Sequence, residues 1–177
     1  MPFTSDPAAL MIAKKRSRKR LARSPAPSRM LAGWREYIAL PALGIGPLIA
    51  KLDTGARSAA LHAENIVIYQ KDGHSRIRFD VPLDSSSRKV KSCDLMLSDE
   101  RRVKNTGGGS ELRQVVETEL QLGEVSWQAQ ITLTNRTDMG VPMLLGRNTI
   151  RGRFVVHPGR SFVLSSALHG KRNGERR

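Results

Sequence analysis

The stretch Leu48-Ile49-Ala50-Lys51-Leu52-Asp53-Thr54-Gly55-Ala56 is an apolar strand pattern that stops abruptly at Asp-Thr-Gly. A carboxylate at a strand end can be turned out into a cleft. Thr54 supplies a hydroxyl able to bond the backbone of a neighbouring copy, and Gly55 lets the backbone approach Asp53 and donate an N–H. Two such loops face to face would place two carboxylates close enough to share one proton. Like charges that close cannot both ionise cheaply, so one pKa rises and the other falls. The ionised member can then activate a water while the protonated member polarises a carbonyl. Alone, Asp-Thr-Gly is a weak signal, because short Asp-x-Gly turns also close ordinary strands. A second element adds weight. Pro142-Met143-Leu144-Leu145-Gly146-Arg147-Asn148-Thr149-Ile150 is an apolar strand running into Gly146 and then a short helix from Arg147 to about Arg151.

The elements that must position these residues are short. From Trp34 the chain consists of β-branched and aliphatic runs cut by Gly, Pro, Asp and Asn. The pattern predicts strands over 34–40, 47–53, 61–70, 75–81, 89–97, 101–105, 111–122, 124–134, 153–156 and 161–164. Lys71-Asp72-Gly73 and Leu122-Gly123-Glu124 are turn signals. Val116 to Leu122 alternates apolar and polar residues. Many short strands at this spacing indicate an all-β sandwich or barrel. Lys104-Asn105-Thr106-Gly107-Gly108-Gly109-Ser110-Glu111 lies between two strand candidates as a glycine-rich hairpin tip.

Charge is concentrated at the ends. Residues 1–33 hold eight basic residues against Asp6, and the stretch from Gly170 holds four against Glu175, out of a net +14 over 177 residues. Neither tail has enough apolar periodicity to offset its ordering entropy, so both are expected to be disordered. Such runs attract nucleic acid or anionic surfaces without sequence preference, or are simply solvated. Met30, just ahead of the expected domain start, is an alternative beginning for the chain. No run approaches the roughly 20 apolar residues of a membrane span. The single cysteine, Cys93, allows no internal disulfide and fits a reducing compartment, so a cytoplasmic protein is expected.

Three motifs in order carry a resemblance. Gly33-Trp34-Arg35-Glu36, then Asp53-Thr54-Gly55-Ala56-Arg57-Ser58 running to Leu61-His62-Ala63, then Pro142 to Arg147 resemble the bacterial retropepsin-like aspartic endopeptidases, historically labelled ATP-dependent zinc proteases. The resemblance covers roughly residues 33–165. It implies a small closed acid-protease β-barrel over 34–165 with one short helix and a flap hairpin at Gly107, Gly108 and Gly109. It also implies Asp53, Thr54 and Gly55 as catalytic residues, with Ala56, Arg57 and Arg147 beside the substrate. The chain has one Asp-Thr-Gly, and a core of about 130 residues is too small for two protease lobes. A homodimer is therefore expected to supply the second Asp53.

The older label finds no support in the residues. There is no Gly-x-x-x-x-Gly-Lys-Ser/Thr loop and no His-Glu-x-x-His. His62, His74, His157 and His169 are scattered, so no metal site and no cofactor are expected. His62, nine residues after Asp53, reads as a strand histidine packed beside the site. Retroviral relatives carry an acid where this chain has Arg57, which would pair with Arg147; here both are basic and should repel unless Glu64 or Asp138 intervenes. A basic subsite there would favour acidic peptides. The resemblance adds that its members are often linked with a ligase that adds glutamates to protein tails. The alternative function is a non-catalytic module that binds peptide, RNA or ribosomal protein on the same barrel. Cys93 has no neighbouring base and reads as a buried structural thiol.

Overall fold

A computed structural model of the chain describes residues 28–83, 89–104 and 108–166. Most of the two basic tails, and Gly107 of the expected flap, lie outside the described residues. Among the described residues, eleven strands, one short α-helix and two single-turn 3-10 helices, Pro41–Leu43 and Thr137–Met139, make up the regular structure. The strands and the α-helix are β1 (Met30–Leu40), β2 (Ile45–Leu52), β3 (Ala59–His62), β4 (Glu64–Lys71), β5 (His74–Pro82), β6 (Val90–Met96), β7 (Asp99–Lys104), β8 (Ser110–Leu122), β9 (Val125–Thr134), β10 (Met143–Leu145), α1 (Arg147–Ile150) and β11 (Phe154–Ser161).

Eight strands form one sheet in the order β11-β1-β2-β10-β3-β9-β8-β7. That sheet curls until β1 meets β8 through Ala39 and Gln121. The ring from β1 through β2, β10, β3 and β9 to β8 is therefore a near-closed barrel, as expected for an all-β protein of this kind. Inward-facing Ile38, Leu40, Leu48, Ala50, Leu52, Leu61, Val116, Leu120, Leu122, Ile131, Leu133, Met143 and Leu145 fill it. The strands β4, β5 and β6 form a separate three-stranded sheet. Its inner face adds Ile77, Phe79, Val81 and Cys93 to the same core.

Three strand expectations need correcting. The run read as one strand over 61–70 is two strands in different sheets. β3 is buried along its whole length, whereas β4 alternates with exposed residues. Both stretches are apolar enough to read as continuous, and the switch at Ala63 leaves little trace. The sign is backbone: Asn65 has φ 51°, and the β4–β5 register slips between Glu64 and Val67. Second, β1 begins at Met30 rather than Trp34, because Met30 to Gly33 pair in parallel with Phe154 to His157. Third, the strand expected over 153–156 continues to Ser161 as β11, running through Pro158-Gly159 beside an irregularity in β1 between Gly33 and Arg35, and the strand expected over 161–164 is instead the turn that follows it.

After β11 the chain turns at Phe162, whose φ is 56°. The Phe162 ring stacks on Tyr37 at 4.7 Å, and what holds the turn is Glu36. That carboxylate is fully buried. Its Oε1 accepts N–H groups from Gly33 at 2.7 Å, Val163 at 2.8 Å and Leu164 at 3.1 Å. Its Oε2 accepts from the Ser165 amide at 3.1 Å and the Ser165 hydroxyl at 2.5 Å. A buried carboxylate is tolerated because every lone pair meets a donor.

Candidate active site

Asp53 stands at the end of β2, where parallel pairing with β10 places Leu145 beside Leu52. The Asp53 amide donates to the Leu145 carbonyl at 2.9 Å, continuing the ladder one residue past the strand. The chain then turns, and α1 returns to lie on the turn: the amides of Arg147 and Asn148 donate to the carbonyls of Ala56 and Arg57 at 2.9 and 3.0 Å. This closeness requires glycine at the β10–α1 junction. A Cβ on Gly146 would stand 2.4 Å from the Ser58 carbonyl oxygen.

Within the turn, Asp53 Oδ1 accepts the Gly55 amide at 2.9 Å and the Ala56 amide at 3.2 Å. Gly55 thus donates its N–H to Asp53, as its residue type suggested. The Lys51 ammonium lies 3.1 Å from the other oxygen, Oδ2. Partial burial by itself raises the carboxyl; the Lys51 ammonium and the two amides outweigh it and hold Asp53 below the usual carboxylate range. The Thr54 side chain is exposed.

One guanidinium nitrogen of Arg147 donates to the Thr54 and Gly55 carbonyls at 2.9 and 2.7 Å, so this cation braces the turn. Arg57 and Ala56 follow in the same loop, and Arg57 is exposed. Gly108 and Gly109 sit at the tip of the β7–β8 hairpin, and Gly108 has φ 81°. His62 is buried on β3: Nδ1 accepts the Arg136 amide at 3.0 Å, and Nε2 lies 3.3 Å from a Glu64 oxygen. Both ring nitrogens are engaged in packing the β3 end. Cys93 is buried, and burial pushes its thiol up to about 11, with Lys91 pulling the other way and Asp80 adding to the rise, which disfavours the reactive thiolate.

Two cations escaped the sequence reading. Lys51 could have been found, since residues two apart on a strand share a face. Arg136 could not: it follows β9 in a polar stretch without periodicity, yet only 7% of it is exposed. Burial and Arg113 push its pKa down, while Asp53 acts in the opposite direction. Arg113 is itself paired with Glu111 at 2.8 Å. Among the described residues no three or more His, Cys, Asp or Glu converge as metal ligands, and no helix is long and apolar enough to cross a membrane.

Residues 31–166 match the RimB-like family, described as retropepsin-like aspartic endopeptidase RimB. The chain belongs to this family. A crystal structure of a protein of unknown function from Legionella pneumophila has 32% identity and a TM-score of 0.67, over 78% of this chain and all of that one. Among curated proteins, a probable alpha-L-glutamate ligase of Shewanella pealeana is 36% identical over 77% of this chain and 30% of its own length. One from Parasynechococcus marenigrum is 41% identical over 77% of this chain and 29% of its own length. This chain therefore spans about 30% of the curated relatives it matches.

Proposed function

We propose that this chain is an aspartic endopeptidase that works as a homodimer, with a water activated between two Asp53 carboxylates. The observation that carries the reading is the setting of Asp53: a carboxylate at a strand end, with Oδ1 fixed by two backbone amides and the loop braced by Arg147. One copy supplies one such carboxylate, so a second copy completes the dyad. The ionised Asp53 takes a proton from water as the water oxygen attacks the scissile carbonyl carbon. The protonated Asp53 gives its proton to the carbonyl oxygen, forming a tetrahedral diol. Collapse of the diol breaks the C–N bond, with a carboxyl proton passing to the leaving amine. In this reading Thr54 binds the partner's loop, Gly55 and Ala56 hold the carboxylate, and the β7–β8 hairpin with Gly108 and Gly109 closes over the peptide.

We assign acidic, glutamate-rich peptides as the substrate class. The cations around Asp53 favour them through charge-assisted hydrogen bonds. The matched segment of a glutamate ligase also places a domain of this kind in one chain with an activity named for joining glutamate. The same names favour one second reading, a non-catalytic module that binds glutamate-rich peptide for another enzyme.

The test is cleavage of a peptide carrying a run of Glu by the full chain, followed by mass spectrometry. The wild type should cut it, and Asp53→Asn should not. Mixing in excess Asp53→Asn chains should suppress the wild type by forming mixed pairs. Full activity in the Asp53→Asn protein, or in a sample shown to be monomeric, overturns the proposal. Tight peptide binding without cleavage by the wild type favours the second reading.

A further inference from the structure

The donors on Asp53 pose a difficulty for a dyad that must share one proton. Its Oδ1 takes two amide N–H groups, and its Oδ2 faces the Lys51 ammonium at 3.1 Å. An ammonium at that distance favours the charged carboxylate. Two copies would bring together two carboxylates, each with its own lysine, and each ammonium would work against the shared proton that polarises the scissile carbonyl. The shared proton is held more readily once Lys51 has left at least one Asp53.

Lys51 is able to leave. Its side chain is 45% exposed, and Asp53 is the one carboxylate with which it forms an ion pair among the described residues. A second cation, Arg136, is buried beside His62, whose Nδ1 accepts its amide. Arg136 is 93% buried, feels the charge of Asp53, and makes one side-chain hydrogen bond among the described residues, from Nε to the Val141 carbonyl at 3.3 Å. The other charged groups are engaged or turned to solvent: Arg113 on Glu111, Arg147 on the Thr54 and Gly55 carbonyls, Glu64 beside His62, and Arg57 exposed in the loop.

We propose that Lys51 is a substrate-operated latch: a carboxylate side chain of the peptide, close to the scissile bond, draws the Lys51 ammonium off Asp53 Oδ2 and frees the pair of Asp53 groups to share a proton. Lys51 is a positioning residue in this scheme, acting through Asp53. The proposal rests on the endopeptidase reading and deepens it. An acidic side chain then raises kcat as well as lowering KM, because the neutral peptide binds to a latched enzyme.

The experiment compares two peptides that differ only in Glu or Gln beside the scissile bond, cut by wild type, Lys51→Met and Lys51→Arg. Wild type should favour the Glu peptide in kcat by at least about tenfold, the lower end for one charge-assisted hydrogen bond. Lys51→Met should lose that preference through a higher kcat on the Gln peptide, with its pH profile displaced to higher pH. Lys51→Arg should keep the preference. A Lys51→Met protein that keeps the Glu preference in kcat, or loses it only through KM, overturns the latch.

A second readout does not depend on cleavage: the titration of the Asp53 carboxyl carbon followed by NMR. It should move to higher pH in Lys51→Met, and in wild type on adding the Glu peptide but not the Gln peptide. The absence of either movement overturns the latch. A wild type that cuts neither peptide defeats the endopeptidase reading instead, and the titration still decides whether an acidic peptide takes Lys51 from Asp53.

Discussion

Removing the Glu36 carboxylate should be among the most destabilising single changes available to this fold. In Glu36→Ala five donors lose their acceptor: the amides of Gly33, Val163, Leu164 and Ser165, and the Ser165 hydroxyl. The bonds to Gly33 and Ser165 are buried, and those to Val163 and Leu164 are partly so. A buried donor left without a partner costs about 1–3 kcal/mol, and groups within reach of water cost less. Relaxation and water entry keep the total below the simple sum over these donors, at about 3–5 kcal/mol, similar to stripping one partner from a buried ionic contact. Against a whole-domain stability of about 5–15 kcal/mol this is a large share. At about 2–4 °C per kcal/mol for a chain of this size, the midpoint should fall by roughly 6–20 °C. Glu36→Gln keeps one acceptor oxygen but points an NH2 at a second donor, and should cost about 1–3 kcal/mol. Thermal melts followed by circular dichroism give both numbers. A Glu36→Ala midpoint within about 2 °C of wild type would refute the view that this carboxylate ties the C-terminal turn to β1.

Other outcomes follow from the site. Gly146→Ala places a Cβ 2.4 Å from the Ser58 carbonyl oxygen and should cost about 1–3 kcal/mol; peptide turnover should fall more than stability alone explains, which paired melts and assays will show. Gly108→Pro replaces φ 81° by a ring fixed near −65°; turnover should drop while the circular-dichroism spectrum stays that of the wild type, and full activity in a folded variant would sink the flap assignment. Asp53 has a lowered carboxyl pKa in the folded chain, so its contribution to stability is present above the unfolded value of about 4 and is lost as pH falls through the lower folded value. The stability lead of wild type over Asp53→Asn should accordingly narrow in melts taken at successively lower pH below about 4.

What could be read from the sequence was whatever is local. The alternation of Val116 to Leu122 became β8, and Lys71-Asp72-Gly73 became a tight turn with φ of 52° and 75° at its two centres. The Asp53 loop was legible because its chemistry is contained in a few consecutive residues. Contacts between distant segments were not. Glu36 was visible as part of a motif, but its role depends on donors 127 to 129 residues away. The split between β3 and β4 was hidden because both are apolar enough to read as one strand. Arg136 lies in a stretch whose composition looks like a surface loop, and its partners, the His62 ring 74 residues away and the Val141 carbonyl, leave no mark in that composition.

The bracing of the Asp-Thr-Gly turn also says where control over its chemistry can lie. Five hydrogen bonds join residues 145–148 to the 53–57 loop: Asp53 N–H to Leu145, Arg147 and Asn148 N–H to Ala56 and Arg57, and the Arg147 guanidinium to Thr54 and Gly55. They fix the peptide planes that aim the Gly55 and Ala56 amides at Asp53. Preorganisation of this kind lowers the cost of reaching a reactive geometry, but it leaves those two amides nothing to switch. Of the groups that touch the Asp53 carboxylate, Lys51 alone reaches it through a flexible four-carbon side chain. A change in Asp53 protonation therefore has to run through Lys51, or through a charge brought in by a second copy or by substrate.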